Sequence, residues 1–188
     1  MLLSIQGYNP SASSVQRWKL EYLSNLIYFS GKNKFLVIGL TETWLKPNIT
    51  DAQVNIEGCN VYRADRIKRD RGGALLYICK EIPVTSKAIF DDNICEAIFC
   101  CCSSTETVFV CAYKPCDATD DSFSNMIEFI DKHIQEIPKV SCYTIILLGD
   151  FNFPDLWKGN CQQVVPKTSN EHCLFNFLNK HFLCQYCI

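Results

Sequence analysis

At 188 residues and 48% apolar content the chain can bury one substantial core, which excludes an intrinsically disordered polypeptide. A formal net charge of -2 excludes a protein that coats nucleic acid through bulk positive charge, although a local basic patch can still hold phosphates. Its 13 cysteines do not read as a secreted disulfide scaffold, because the start MLLSIQGYNP has no basic segment leading into an apolar signal core.

In chain order, Leu2 to Gly7 is a short apolar start. Ser13 and Ser14 can cap a helix in which Val15, Trp18, Tyr22, Leu23, Leu26 and Ile27 recur at helical spacing. KFLVIGL reads as a buried strand ending at Thr41 and Glu42. An irregular stretch follows, and then GGALLYIC, a strand introduced by Gly72 and Gly73. CEAIFCCCS and TVFVCAYKP, separated by the polar SSTET, predict a hairpin. Within it the consecutive Cys100, Cys101 and Cys102 should face opposite sides of a strand and behave as small, reduced hydrophobes.

Asp120, Asp121 and Ser122 precede a one-faced helix of Phe123, Met126, Ile127, Ile130, Ile134 and Ile137, stopped by Pro138. CYTIILLG is another buried strand, Asn170 to Asn179 a last helix, and FLCQYCI alternates as a terminal strand would. With no repeat or linker, residues 1–188 read as a single domain. The central hairpin argues against a purely parallel sheet and for an α+β sandwich of mixed sheets covered by helices. No apolar run approaches the roughly 18 residues of a membrane span. The expected location is therefore intracellular, nuclear or cytoplasmic, with no membrane partner.

Two weaker signals are set aside. Cys184 and Cys187 form a CxxC with His181, Cys173 and His172 upstream, but a second ligand pair at finger-like spacing is absent. Asn48, Ile49 and Thr50 form a glycosylation sequon without a secretory signal.

Polar chemistry gathers where strands end. The first strand leads through Ser4 and Gln6 to Asn9, the second into Thr41 and Glu42, another ends at Tyr113, and IILLG ends at Asp150 and Asn152. If these ends converge they supply two carboxylates, a phenol and amide donors, an oxygen set suited to Mg²⁺ or Mn²⁺. Each residue also has a structural reading: Glu42 as a helix-start acid, Tyr113 as a core aromatic with a wet hydroxyl, Asp150 as a turn former.

The ordered set SIQGYN, IGLTETWL, YRADRIKRDRGGALLY, AYKP and LLGDFNFPDLW resembles the endonuclease/exonuclease/phosphatase superfamily. More narrowly it is similar to the apurinic-like endonuclease at the N-terminus of non-LTR (LINE-type) retrotransposon polyproteins. The resemblance implies a four-layer α/β/β/α sandwich of the DNase I type and metal-dependent cleavage of a DNA phosphodiester. It assigns Glu42 as the principal metal ligand, with Ser4 and Gln6 in the supporting metal motif. Asp150 would orient or deprotonate the attacking water, Asn152 would hold the scissile phosphate, and Tyr113 would donate to a phosphate oxygen. Arg63, Arg66, Lys68, Arg69 and Arg71, five cations against Asp65 and Asp70, form a basic island that the resemblance, together with Asn9, turns towards DNA.

The sequence departs from the family at two places. Ser4 stands where an asparagine is usual, and a hydroxyl offers less than an amide. FLCQYCI ends before the expected C-terminal strands with their aspartate and Ser/Asp/His block, and His133, His172 and His181 sit in other contexts. The expectation is a domain incomplete at its C-terminus. Its function is nicking of target DNA for a reverse transcriptase domain of a longer polyprotein. Alternatives are an inactive remnant of the same fold, or a phosphatase or phosphodiesterase acting on a small phosphoester.

Overall fold

A computed structural model describes residues 2–6, 37–68, 71–153 and 165–184, the first of these as backbone alone. Eight strands form two four-stranded sheets. The strands are β1 (Leu2–Gln6), β2 (Val37–Thr41), β3 (Cys59–Ala64), β4 (Ala74–Cys79), β5 (Ser86–Asp91), β6 (Glu96–Cys102), β7 (Thr107–Tyr113) and β8 (Thr144–Asp150). The first sheet has the order β1-β2-β4-β3 and the second β5-β6-β7-β8. In each, one pair is parallel, β1 with β2 and β7 with β8, and the other pairs are antiparallel. The mixed sheets expected from the central hairpin are present.

Burial explains why some strands read as continuous apolar runs. Every residue of β4 is buried because both of its faces are covered. Ala74, Leu76 and Ile78 pack inward with Ile98, Cys100, Cys102, Phe109 and Cys111 of the second sheet. Leu75 and Tyr77 face the other way, onto Ile38, Leu40, Leu45, Val54 and Ile56. The consecutive cysteines alternate as expected: Cys101 joins the helix-facing core while Cys100 and Cys102 join the core between sheets. Burial pushes the Cys100 thiol up to about 12 and that of Cys102 to about 11, so both stay protonated.

Two α-helices, α1 (Asp120–Gln135) and α2 (Ser169–Lys180), and three single-turn 3-10 helices complete the described elements. α1 starts one residue after Thr119, whose hydroxyl accepts the Ser122 N–H at 3.2 Å. Its apolar face, Phe123, Met126, Ile127, Ile130 and Ile134, closes over Ala97, Phe99 and Cys101. Fully burying a side chain such as Ile130 or Phe123 stabilises by roughly 1.5–3 kcal/mol. α2 opens on a reciprocal box in which Thr168 Oγ1 accepts from Glu171 N and Glu171 Oε2 from Thr168 N.

The expected helix over residues 13–27, which would be the fourth layer, lies outside the described residues, as do Pro154, Trp157 and the end of FLCQYCI. The described start of that last segment, Phe182 to Cys184, is irregular rather than strand. Two strands, β3 and β5, arise within or after the stretch read as irregular. β5 is an edge strand of alternating exposure, SKAIFD, and β3 is half-buried, so neither presents the unbroken apolar run of a central strand.

Candidate functional site

The parallel pairing of β1 with β2 and of β7 with β8 sends their C-terminal ends in common directions within each sheet. Gln6 is opposite Thr41 in the first sheet, and Tyr113 is opposite Asp150 in the second. The sheets pack face to face with β2 against β7 and β8, so Glu42, one residue past β2, meets the end of β7.

Glu42 is gripped from three sides. Tyr113 donates its hydroxyl to Glu42 Oε1. Trp44 Nε1 donates to Oε2 at 2.6 Å, and the Gly72 N–H donates to the same oxygen at 3.2 Å. The backbone repeats the link, with Trp44 N donating to Gly72 O at 2.8 Å. Burial first, and the Glu42 carboxylate second, raise the Tyr113 phenol well above its ordinary range, so it is a hydrogen-bond donor at any physiological pH.

The Asp150 end is built differently. Lys114 N donates to Asp150 O at 2.9 Å, and Asn152 Nδ2 donates to Lys114 O at 2.7 Å. The Asp150 carboxylate accepts the Asn152 N–H at 2.9 Å, the local turn that its structural reading anticipates. Phe151 and Phe153, both buried, stand edge-on to Phe123 and fix the loop from beneath. Lys114 Nζ lies 4.4 Å from the centroid of Phe153, and burial lowers its proton affinity. Glu42, Trp44 and Asn152 have φ of 56°, 54° and 52°, an arrangement that costs L residues energy; Asn93, Glu106, Lys139 and Phe182 share it at turns and bends away from these strand ends.

The basic island divides. Arg63, expected at DNA, is instead half-buried and bonded to Asp65, Asp51, the Ile49 carbonyl and the Lys46 carbonyl. Arg66 is 4% exposed, with its guanidinium on the carboxylate of the fully buried Glu96. Arg66 is turned inward by the buried Glu96, whereas Arg63 stays half-buried on the surface with its guanidinium neutralised by Asp51 and Asp65. Lys68 and Arg71 are exposed, and Arg71 Cζ lies 5.6 Å from the Trp44 ring centroid. Arg69, Asn9 and the side chains of Ser4 and Gln6 lie outside the described residues.

Sequence reasoning missed Glu96. Its signal was available: a lone carboxylate opening the otherwise apolar EAIFCCC must find a cation or remain a costly buried charge. Burial pushes its carboxyl up to about 7, against the lowering effect of the Arg66 hydrogen bond. The histidines are engaged away from the strand ends where they are bonded, His133 Nδ1 with the Phe129 carbonyl and His181 Nε2 with Asp131.

Among the described residues no three His, Cys, Asp or Glu side chains gather as a metal cluster. The donors at the strand ends are all oxygens, with carboxylates at Glu42 and Asp150. Such a set offers none of the thiolate or imidazole ligands usual for zinc, and it fits a hard cation that keeps its waters and takes one or two carboxylates plus substrate oxygens.

No family model matches the chain, and no curated protein matches it in sequence. Its fold is similar to several solved structures. An AP endonuclease from Archaeoglobus fulgidus aligns with a TM-score of 0.59 and 12% identity, over 96% of this chain and 71% of that one. The AP endonuclease LMAP from Leishmania major gives 0.55 and 14%, over 94% and 65%. D. rerio TDP2, complexed with single strand DNA product, gives 0.53 and 14%, over 81% of this chain. The chain spans 60% of the length of that TDP2. The chain therefore shares the two-sheet α+β fold of these AP endonucleases and of TDP2.

Proposed function

We propose that this chain is a metal-dependent phosphodiesterase of endonuclease type acting on DNA. The observation that carries the reading is the meeting of Glu42 and Tyr113 at the end of β7, beside the Asp150 and Asn152 end of β8. The DNA-processing neighbours support DNA as the substrate class, and D. rerio TDP2 holds a DNA product on the same fold. A divalent cation held by Glu42, with the β1 side chains Ser4 and Gln6 in support, would offset negative charge on the phosphate.

The residues then divide the work. The Asp150 carboxylate accepts a proton from a water as its oxygen attacks phosphorus. One P–O bond forms as another breaks, and the leaving oxygen departs as a hydroxyl after protonation from solvent. The second N–H of the Asn152 amide supplies a hydrogen bond to a phosphate oxygen, while the one Tyr113 O–H stays on Glu42 and keeps that carboxylate in place. Within the basic island, Lys68 and Arg71 are the described cations exposed to meet the duplex backbone.

In the narrower form of the proposal the nick primes reverse transcription in a non-LTR element, the reading supported by ETWL, DR…RGG and GDFN. Supercoiled plasmid with Mg²⁺ tests both levels. The purified chain should nick it, EDTA should abolish nicking, and Glu42→Gln and Asp150→Ala should each lose about 10²-fold or more in rate. The nick should carry a 3′-hydroxyl that a polymerase extends. Absence of nicking, or nicking indifferent to Asp150→Ala, overturns the proposal.

A second reading, a remnant of the fold without turnover, is favoured by Ser4 and by the engagement of His133 and His181 on the helices. The same assay separates the two.

A further inference from the structure

Arg66 and Glu96 form an ion pair that stability alone does not explain. Both are buried, at 4% and 0% exposure, and replacing such a pair by apolar residues is often neutral or stabilising. The pair is bidentate: Arg66 Nε donates to Glu96 Oε1 and Nη2 to Oε2 at 2.8 Å, with Nη2 also on the Ile94 carbonyl.

Its surroundings all lead to one carboxylate. Glu96 is the cross-strand partner of Tyr113, and Arg66 Cζ lies 5.5 Å from the Tyr113 ring centroid. A Cβ added to Gly72 would sit 2.3 Å from Arg66 Cζ, so the Gly72 backbone lies directly on the guanidinium. The Glu96 carboxylate also accepts the Gly73 N–H. Tyr113 and Gly72 are two of the three donors that hold Glu42.

We propose that Arg66, oriented by Glu96, is the positioning residue of this site, setting the Tyr113 ring and the Gly72–Gly73 turn so that both hold the Glu42 carboxylate. The role rests on the endonuclease reading, in which Glu42 takes the cation. It assigns to Arg66 a duty different from the DNA contact that its place in a basic island suggests. It also explains why a planar fork is present: a lysine would keep the charge but lose the paired hydrogen bonds and the flat surface against ring and turn.

The test uses Arg66→Lys and Tyr113→Phe, singly and together, with two readouts. The first is plasmid nicking with Mg²⁺. Arg66→Lys should lower kcat by about 10²-fold with KM unchanged, the size of effect expected from a small misplacement. The losses from Arg66→Lys and Tyr113→Phe should not multiply in the double variant, because they act on one contact.

The second readout is the Trp44 indole N–H signal in ¹⁵N-tryptophan-labelled chain, assigned with Trp44→Phe. It reports the Glu42 carboxylate directly and should move in Arg66→Lys. If Arg66→Lys does not fold, Glu96→Gln, of the same shape, should reproduce both effects. Three results overturn the proposal: a rise in KM with kcat intact, which marks a DNA contact; losses that multiply fully; or an unmoved Trp44 signal. If the unmodified chain does not nick, the endonuclease reading falls and the Trp44 signal alone decides the positioning role.

Discussion

Gly149 carries the step from buried strand to site. Its φ is 143°, and a Cβ there would lie 1.9 Å from the Ala112 carbonyl oxygen, its neighbour across the parallel β7–β8 pair. Backbone cannot yield as a side-chain tip can, so Gly149→Ala should cost both the conformational penalty and the separation of two paired strands. Gly58, with φ of 81° and open space around it, isolates the first term. Gly58→Ala should cost about 1 kcal/mol. Gly149→Ala should cost about 4 kcal/mol or more, in the range reserved for named steric failures. Urea unfolding of the two variants measures the difference, and equal losses would mean that β8 can shift away from β7 freely. Because Asp150 is the next residue, the same substitution should also remove nicking even where the fold survives.

At the level of elements, the two helices are joined by a polar clasp. Asp131 on α1 accepts from Lys180 Nζ at 2.6 Å and pairs with His181 Nε2 at 2.7 Å, the last residue of α2 and its cap. Burial alone would raise the Asp131 carboxyl, but hydrogen bonds from Lys180, His181 and Gln135 outweigh it and hold the group below its ordinary range. A depressed carboxyl contributes stability above its unfolded value, about 3.9, and that contribution is lost as pH falls through the lower folded value. Asp131→Asn should therefore lower Tm at neutral pH, with the gap to the unmodified chain closing under strongly acidic conditions. A gap constant with pH would contradict an electrostatic clasp. The clasp is invisible in sequence, since Asp131 and His181 are 50 residues apart with no periodicity linking them. For the Arg66–Glu96 pair, the apolar run EAIFCCC announces the buried Glu96 but not its partner Arg66, 30 residues away. What was legible was local: the apolar runs of β2, β4, β6, β7 and β8, the one-faced α1, and Glu42, Tyr113 and Asp150 standing directly after such runs. β3 and β5 escaped because a half-buried strand with Arg63 in it and an exposed edge strand lack the continuous apolar signature. The basic island was read as a unit because charge was counted without the acids that fold would bring to it.

For the whole molecule, a net charge of -2 means that attraction to DNA has to be local. With Arg63 and Arg66 committed to internal partners, the described part of the island offers Lys68 and Arg71 to phosphate. Each phosphate neutralised contributes about -0.9 to the slope of log K against log salt on duplex DNA. Lys68→Ala and Arg71→Ala should therefore each make that slope shallower by about 0.9, weakening binding to all duplex sequences alike. Arg66→Lys should leave the slope where it was, because its cation faces Glu96. Arg71 has a second duty to lose, since it lies over the Trp44 ring that itself holds Glu42. Arg71→Ala should consequently lower kcat as well as affinity, whereas Lys68→Ala should change affinity alone. Fluorescence anisotropy over a salt series, run beside nicking kinetics, reads both quantities. A slope change for Arg66→Lys equal to that for Lys68→Ala would place the buried guanidinium at the DNA after all.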